Sequence, residues 1–289
     1  MATYPALDVS ARDVDRVLAV VDDCSPTAVE DHDGSFTLYF SSRAERDEAW
    51  RTLAREMPFA VSSPREIDDE DWARRSQRGL TPVSVGQLTV SPPWLLPSVA
   101  AGSGTIVITP SMGFGTGHHA TTRLCLQALQ TLELSGRSVL DVGTGSGVLA
   151  LAARRLGAQD AAGVDADADA VSAARENLAL NPWSTHVRFD LADLGTDVLP
   201  TADVVTANLT GAVLVRGARL LMDLVRPGGV LVVSGLLADE QSGVLEAFLG
   251  AGSAAPGEAP PRPRADLRWS AEEDGWIGLV FNVGRDQPV

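Results

Sequence analysis

No lysine occurs in the sequence; all 23 of its positive side chains are arginine, against 38 Asp and Glu, for a net charge of −15. A coding bias explains that absence more simply than function does. Cysteine is nearly as scarce: Cys24 and Cys125 are the only two, which excludes a disulfide framework or a cysteine-built metal cluster and agrees with a reducing compartment. Long apolar runs are missing as well. None approaches the ~18 residues of a membrane span, and charges stand in Met1 to Val20 where a signal peptide would carry its apolar centre. A cytoplasmic chain with no membrane partner is expected. The acidic balance argues against duplex nucleic acid, whose binding rests on neutralising phosphates, and suits a basic partner better. What is present is ordinary for a globular protein. With 289 residues, 45% of them hydrophobic, the chain has room for one large domain plus a small one.

The organising stretch is Ser138 to Gly147, Ser-Val-Leu-Asp-Val-Gly-Thr-Gly-Ser-Gly. An apolar run ends in Gly143, Gly145 and Gly147, and helix-forming residues follow from Val148 to Leu156. This predicts strand, tight glycine turn and helix, with backbone amides presented to whatever sits on the turn. The spacing is G-x-G-x-G, not the G-x-G-x-x-G of a pyrophosphate-binding dinucleotide turn. Asp141 stands two residues before the first glycine, and Asp165 closes a second apolar run, 22 residues beyond Gly143. A carboxylate in that place accepts bonds from two neighbouring ribose hydroxyls. The combination points to an S-adenosylmethionine site, with Asp141, Gly143, Gly145 and Asp165 as cofactor-binding residues.

Around this stretch the chain divides into three parts. Residues 1–61 alternate as a small α+β unit: strand Pro5 to Val9, helix Arg12 to Asp22, strands Thr27 to Glu30 and Phe36 to Phe40, and helix Arg43 to Met57. The pattern resembles a ferredoxin-like half-sandwich. Residues 62–80 are charge-rich and read as a linker helix; Ile67 to Trp72 is either an acid-rich helix start or an acidic patch for a basic substrate. Residues 81–289 form the large domain. A strand pair, Pro82 to Val85 and Leu88 to Val90, precedes the β-rich Thr105 to Thr109. The loop Gly113 to Gly117 then opens onto a helix over Arg123 to Leu134, where Thr121 and Thr122 either cap the helix or bond a ligand. His118 and His119 point to different faces and have no acidic or cysteine partner at ligand spacing, so no metal site is expected.

Beyond the glycine turn, helix Val171 to Leu180, strand Val187 to Phe189, strand Asp203 to Ala207, helix Gly211 to Val225 and strand Val230 to Val233 alternate. Such a series predicts a doubly wound, mainly parallel sheet with its ligand beyond the carboxyl ends of the strands. Asn208 falls at that edge. Asp190 and Asp193 are adenine contacts or solvated loop acids, and Trp94, Phe114 and Trp183 either face a cation or pack in the core. Residues 250–264, rich in Gly, Ala and Pro, read as a mobile loop before a last strand, Trp276 to Phe281.

Taken together, Asp71-Trp72, Pro93-Trp94, Gly113-Phe114-Gly115-Thr116-Gly117, His119, Thr121 to Leu126, the central turn, Asp165, Ala207-Asn208, Pro227-Gly228-Gly229 and Ser234-Gly235 resemble the lysine methyltransferases that modify ribosomal protein L-eleven. The resemblance runs from about residue 71 onward and is faint over residues 1–60, the part that in this family grips the substrate. It implies a seven-stranded Rossmann-like methyltransferase fold. It also implies cofactor contacts at Thr122, Gly143, Asp165 and Asn208, and a monomer that methylates amines of a basic ribosomal protein, with Asn208 aligning the amine. His118, Ala120 and Thr144 depart from the family's usual threonine, proline and cysteine, and Leu209 to Ala212 departs from its usual Ile-Leu-Ala-Gly. The absence of lysine means the chain cannot methylate a lysine side chain of its own. The alternatives are a methyltransferase for small molecules or other proteins, a nucleotide-dependent oxidoreductase and a non-catalytic cofactor-binding module.

Overall fold

The computed structural model describes residues 3–11, 14–21, 24, 26–31, 35–68, 81–98, 104–110, 118–249 and 265–284. The chain forms two compact units, Met1–Leu80 and Thr81–Val289.

The first unit runs β1 (Thr3–Ser10), α1 (Val14–Val21), β2 (Ala28–Asp31), β3 (Phe36–Tyr39), α2 (Arg43–Glu56) and β4 (Val61–Asp68). Its sheet has the order β2-β3-β1-β4 with every neighbour antiparallel, which is the ferredoxin-like arrangement expected. Period-2 alternation places Leu7, Val9, Phe36 and Leu38 on one face, where Val17, Val21, Ala49 and Leu53 of the two helices close the core. A capping box starts α2: Ser42 accepts the Glu45 N–H, and the Glu45 carboxylate accepts the Ser42 N–H.

One boundary is corrected. Residues 62–68, expected to begin a linker helix, continue β4, which pairs with β1 from Ser10↔Val61 to Thr3↔Asp68. Its charges are not a solvated helix face but partners of neighbouring elements. Arg65 bonds Asp8 of β1 at 2.8 Å, and Glu66 bonds Arg43 and Arg46 of α2 at 2.9 Å. As an edge strand, β4 also tolerates Pro64, which has no N–H to give a second neighbour. Residues 69–80 of the expected linker, Trp72 included, lie outside the described residues.

The second unit begins with a small sheet, β5 (Val83–Val85), β6 (Leu88–Ser91) and β7 (Thr105–Val107), in that order. It continues with α3 (Ala120–Leu129), β8 (Ser138–Val142), α4 (Val148–Arg155), β9 (Asp160–Asp165), α5 (Ala168–Leu180), β10 (Val187–Leu191), β11 (Ala202–Asn208), α6 (Gly211–Asp223) and β12 (Val225–Leu237). Helix α7 (Gln241–Leu249) and the hairpin β13 (Ala265–Glu273) and β14 (Trp276–Val283) complete it. The large sheet has seven strands in the order β10-β9-β8-β11-β12-β14-β13. β8 to β12 are parallel, and β14 and β13 are antiparallel.

Alternation along the central strands sorts the two layers. Val139, Val204, Val230 and Val232 pack under α3, α4 and α5, whereas Leu140, Val205, Leu231 and Val233 pack under α6 and α7. Strand order reverses at β8, which separates β9 from β11, so a crevice opens at the carboxyl ends of β8 and β11. Strand β13 and helix α7 were not anticipated. The signal for the former was present: Asp274-Gly275, at φ 52° and 78°, is the two-residue hairpin turn between Glu273 and Trp276. The loops Gly113 to Gly117 and 250–264 lie outside the described residues.

Phe281, fully buried on β14 and stacked 5.2 Å from Phe248 of α7, ties the antiparallel strands to the α6/α7 layer. Truncating it to alanine is expected to cost about 3–5 kcal/mol, read as a drop in the denaturant midpoint of the second unit.

Candidate functional site

The turn after β8 is built by three left-handed glycines, Gly143, Gly145 and Gly147, at φ 70°, 52° and 83°. Space is as short as conformation. A Cβ on Gly147 would sit 2.6 Å from the Phe189 ring, and one on Gly143 would sit 2.4 Å from the Leu209 side chain. Two amides of the turn, on Gly143 and Thr144, donate to the Val164 carbonyl at 2.9 and 3.0 Å, which stitches the turn to the end of β9.

Asp165, the last residue of β9, carries that stitch into the side chains. One carboxylate oxygen accepts the Gly145 N–H at 2.9 Å and the other accepts the Asp167 N–H at 3.1 Å. Each oxygen has two lone-pair directions, so one acceptor site per oxygen is left over. Two adjacent ribose hydroxyls need that pair. With that pair of acceptors on a glycine turn, the residues present fit the ribose of S-adenosylmethionine.

Asp141, expected as a cofactor contact, has both carboxylate oxygens bonded within the protein. It is 1% exposed; one oxygen accepts the Thr206 hydroxyl and the other the Thr144 hydroxyl, both at 2.6 Å. The carboxylate therefore braces the turn from below. Burial pushes it up to about 6; the hydroxyls of Thr144 and Thr206 oppose that shift, and the Asp165 charge adds to it. Thr206 was missed from the sequence, although a threonine inside the apolar run Val204 to Ala207 was the available signal.

Asn208 ends β11 one residue past the Ala207↔Val142 pair, which places it beside Gly143 at the crevice. No other described residue hydrogen-bonds its side-chain amide. Gly143, Gly145, Asp165 and Asn208 are thus brought to one edge. Thr122 is buried in the first turn of α3, and among the described residues no side-chain hydrogen bond joins it to that group.

Capping of α3 falls to His119, not to the threonines: its Nδ1 accepts the Thr121 N–H at 3.4 Å and pairs with the Thr121 hydroxyl at 2.8 Å. Its ring stands edge-on to Trp276, with centroids 4.8 Å apart. Burial, and then the charge of Arg123, lower its pKa, so the imidazole is neutral at pH 7. Arg123 itself bonds Glu273 at 2.6 Å, Asp274 at 3.1 Å and the His118 carbonyl, which fastens the start of α3 to the β13–β14 hairpin. His118 bonds the Thr81 carbonyl through Nε2 at 2.9 Å. Neither histidine is placed for a metal, and among the described residues no cluster of His, Cys, Asp and Glu could hold one.

The remaining candidates separate. Asp190 is exposed and faces Arg188 at 3.5 Å, while Asp193 accepts the Gly195 N–H within its own loop at 2.7 Å. Trp183 packs against the core with the guanidinium of Arg155 4.2 Å over its ring, so its cation is the chain's own. Trp94 is partly exposed, and Phe114 lies outside the described residues.

Asp141 generates a pH prediction. Its folded pKa of about 6 exceeds the ordinary aspartate value of 3.8, so between about pH 4 and 6 the folded state holds a proton that the unfolded chain has lost. Stability then falls as pH rises through that window, by on the order of 3 kcal/mol. Asp141→Asn removes this contribution. The stability of the variant minus that of the wild type is expected to rise by a comparable amount between pH 4 and pH 7, measured by urea denaturation at each pH.

Comparison with known proteins agrees with this geometry. The family model described as "Ribosomal protein L11 methyltransferase (PrmA)" matches residues 6–252. The protein of that name from Geobacter metallireducens is 44% identical over 230 residues, which span 79% of this chain and 70% of the relative. Its namesake in Deinococcus radiodurans is 38% identical over 218 residues, spanning 73% and 76%. Among solved structures, the ribosomal protein L11 methylase of Lactobacillus delbrueckii subsp. bulgaricus superposes with a TM-score of 0.60 at 24% identity, covering 71% of this chain and 99% of that one, a likeness of fold. On the extent of the family match and the identity of these relatives, the chain belongs to the ribosomal protein L11 methyltransferase family.

Proposed function

We propose that this enzyme transfers the methyl group of S-adenosylmethionine to amines of ribosomal protein L11, at lysine side chains, the N-terminus or both. The observation that carries the reading is the bond between the Asp165 carboxylate and the Gly145 amide, which sets a carboxylate with spare acceptor capacity on the glycine turn. When bound, S-adenosylmethionine supplies an electrophilic methyl on a sulfonium with its leaving group built in. The work left to the protein is orientation.

Asp165 would hold the ribose hydroxyls, and the turn from Gly143 to Gly147 would lie against the nucleoside. Thr122 is assigned to the cofactor by the family resemblance. Asn208, at the end of β11, would align the attacking amine by accepting one of its N–H bonds through the side-chain carbonyl. That amine must be neutral to attack. Deprotonating a lysine of ordinary pKa ~10.4 at pH 7 costs about 4.6 kcal/mol, which exclusion of water and a nearby positive charge offset in part. His119, neutral and held at the head of α3, has a positioning role, because its Nδ1 is committed to Thr121. The ferredoxin-like unit, Met1–Leu80, is assigned to gripping the protein substrate. A basic ribosomal protein suits the acidic surface of a chain with net charge −15. We place the activity in the cytoplasm and on a monomer, in keeping with two buried free cysteines and no described helix long and apolar enough to cross a membrane.

The test is incubation of the purified chain with labelled S-adenosylmethionine and recombinant ribosomal protein L11, followed by mass spectrometry of the product. Label on L11 amines is expected, and label on other proteins but never on L11 would overturn the substrate. Asp165→Ala removes an acceptor of two charge-assisted bonds. It is expected to weaken S-adenosylmethionine binding by about 3 kcal/mol, on the order of a hundredfold, in calorimetry. Asn208→Ala is expected to lower kcat by about tenfold or more, because it removes orientation at the reacting amine.

A further inference from the structure

Two buried asparagines, one in α5 and one capping its C-terminus, do something the reaction so far described does not use. Asn177 lies in the last turns of the helix and Asn181 is its C-cap residue, and they are 1% and 0% exposed. Asn181 behaves as a neighbouring strand residue would: its Oδ1 accepts the Val107 N–H at 2.9 Å and its Nδ2 donates to the Val107 carbonyl at 2.7 Å. The same Nδ2 also donates to the Asn177 carbonyl at 2.7 Å. Asn177 reaches further. Its Oδ1 accepts the Thr109 N–H at 2.8 Å, and its Nδ2 donates to the carbonyl of Ser146 at 2.9 Å.

Ser146 lies between Gly145 and Gly147, inside the turn that Asp165 holds from the other side. Ladder pairing of β7 ends at Val107, and Thr109 belongs to the segment just beyond it. One planar amide therefore joins the turn to that segment, with both of its ends committed. Turn glycines have little backbone stiffness of their own, so the direction of the Ser146 carbonyl is set by whatever bonds it. A buried amide also has no water to fall back on, which makes both bonds break or form together.

We propose that Asn177 is a positioning residue for the cofactor turn, and that through it S-adenosylmethionine binding and the ordering of Thr109 are coupled; Asn181 anchors Val107 without reaching the turn. The inference rests on the reading of the turn as the cofactor site. Coupling of this kind is reciprocal: whatever holds the turn in its bound shape also holds Thr109, and loosening Thr109 weakens the cofactor.

Calorimetry of the full chain with S-adenosylmethionine separates the two asparagines. Asn177→Asp keeps the shape and the acceptor for Thr109 but, when ionised, cannot donate to Ser146. It is expected to raise Kd by about tenfold. Asn181→Asp loses the Nδ2 bonds to the Val107 and Asn177 carbonyls but none to the turn, and is expected to leave Kd within about twofold while lowering Tm about as much as Asn177→Asp does. Unchanged binding in Asn177→Asp, or equal weakening in both variants, overturns the proposal and leaves the pair as scaffold. Should the wild type not bind S-adenosylmethionine at all, it is the cofactor assignment that falls. A second measurement needs no variant: in hydrogen exchange of the wild type, saturating S-adenosylmethionine is expected to slow the Thr109 amide by about tenfold. An unaltered Thr109 rate overturns the coupling even if Asn177→Asp does not fold.

Discussion

The site depends on one hydrogen bond between a strand end and a turn: the Asp165 carboxylate accepting the Gly145 amide. Parallel pairing of β8 with β9 brings the two chain segments side by side, since Val142 stands opposite Val164. The turn then folds back on the Val164 carbonyl, and the next residue, Asp165, meets the turn's central amide. Glycine permits this path because three successive alternate residues must take left-handed angles that a side chain resists.

Beneath the turn lies a second carboxylate with the opposite character. Asp165 is partly open and keeps acceptor capacity, whereas Asp141 is sealed and spends its oxygens on Thr144 and Thr206. It stands on the α3/α4 face of the sheet, among groups that are polar but not positive. Cys125 is buried nearby, and burial followed by the Asp141 charge raises the thiol's pKa, so it stays a thiol. Rigidity under the turn is obtained at the cost of stability near neutral pH. A carboxylate left partly unsolvated is tolerated because the two hydroxyls fix its geometry.

Elsewhere charge is used to fasten elements. At the opposite end of the sheet, burial works against the charged form of Asp203, but the N–H and hydroxyl of Ser138 and the guanidinium of Arg226 outweigh it and hold its pKa low. That links the first residues of β8, β11 and β12 where their ladders begin. Arg123 does similar work at the crevice end by joining α3 to the β13–β14 turn. Arginine suits both places because its planar fork makes several directed bonds at once.

Much of this was legible in the chain itself. Strict alternation and apolar runs are local patterns, so the βαβ series and the order of its elements could be read directly, as could the glycine turn and the ferredoxin-like alternation of the first unit. Spacing alone placed Asp165 at a strand end. What local pattern could not carry was pairing. Residues 62–68 read as part of a linker helix because the partners of their charges, Asp8, Arg43 and Arg46, are remote in sequence. Nor does anything nearby in the chain reveal that Thr206, 65 residues away, bonds Asp141 across the sheet. Residue types and their periodicity determined which elements exist and where a nucleoside would rest. Only the tertiary structure decided which polar groups satisfy one another in the interior and which remain open to a ligand, since a hydrogen bond depends on distances in space that the order of residues does not contain.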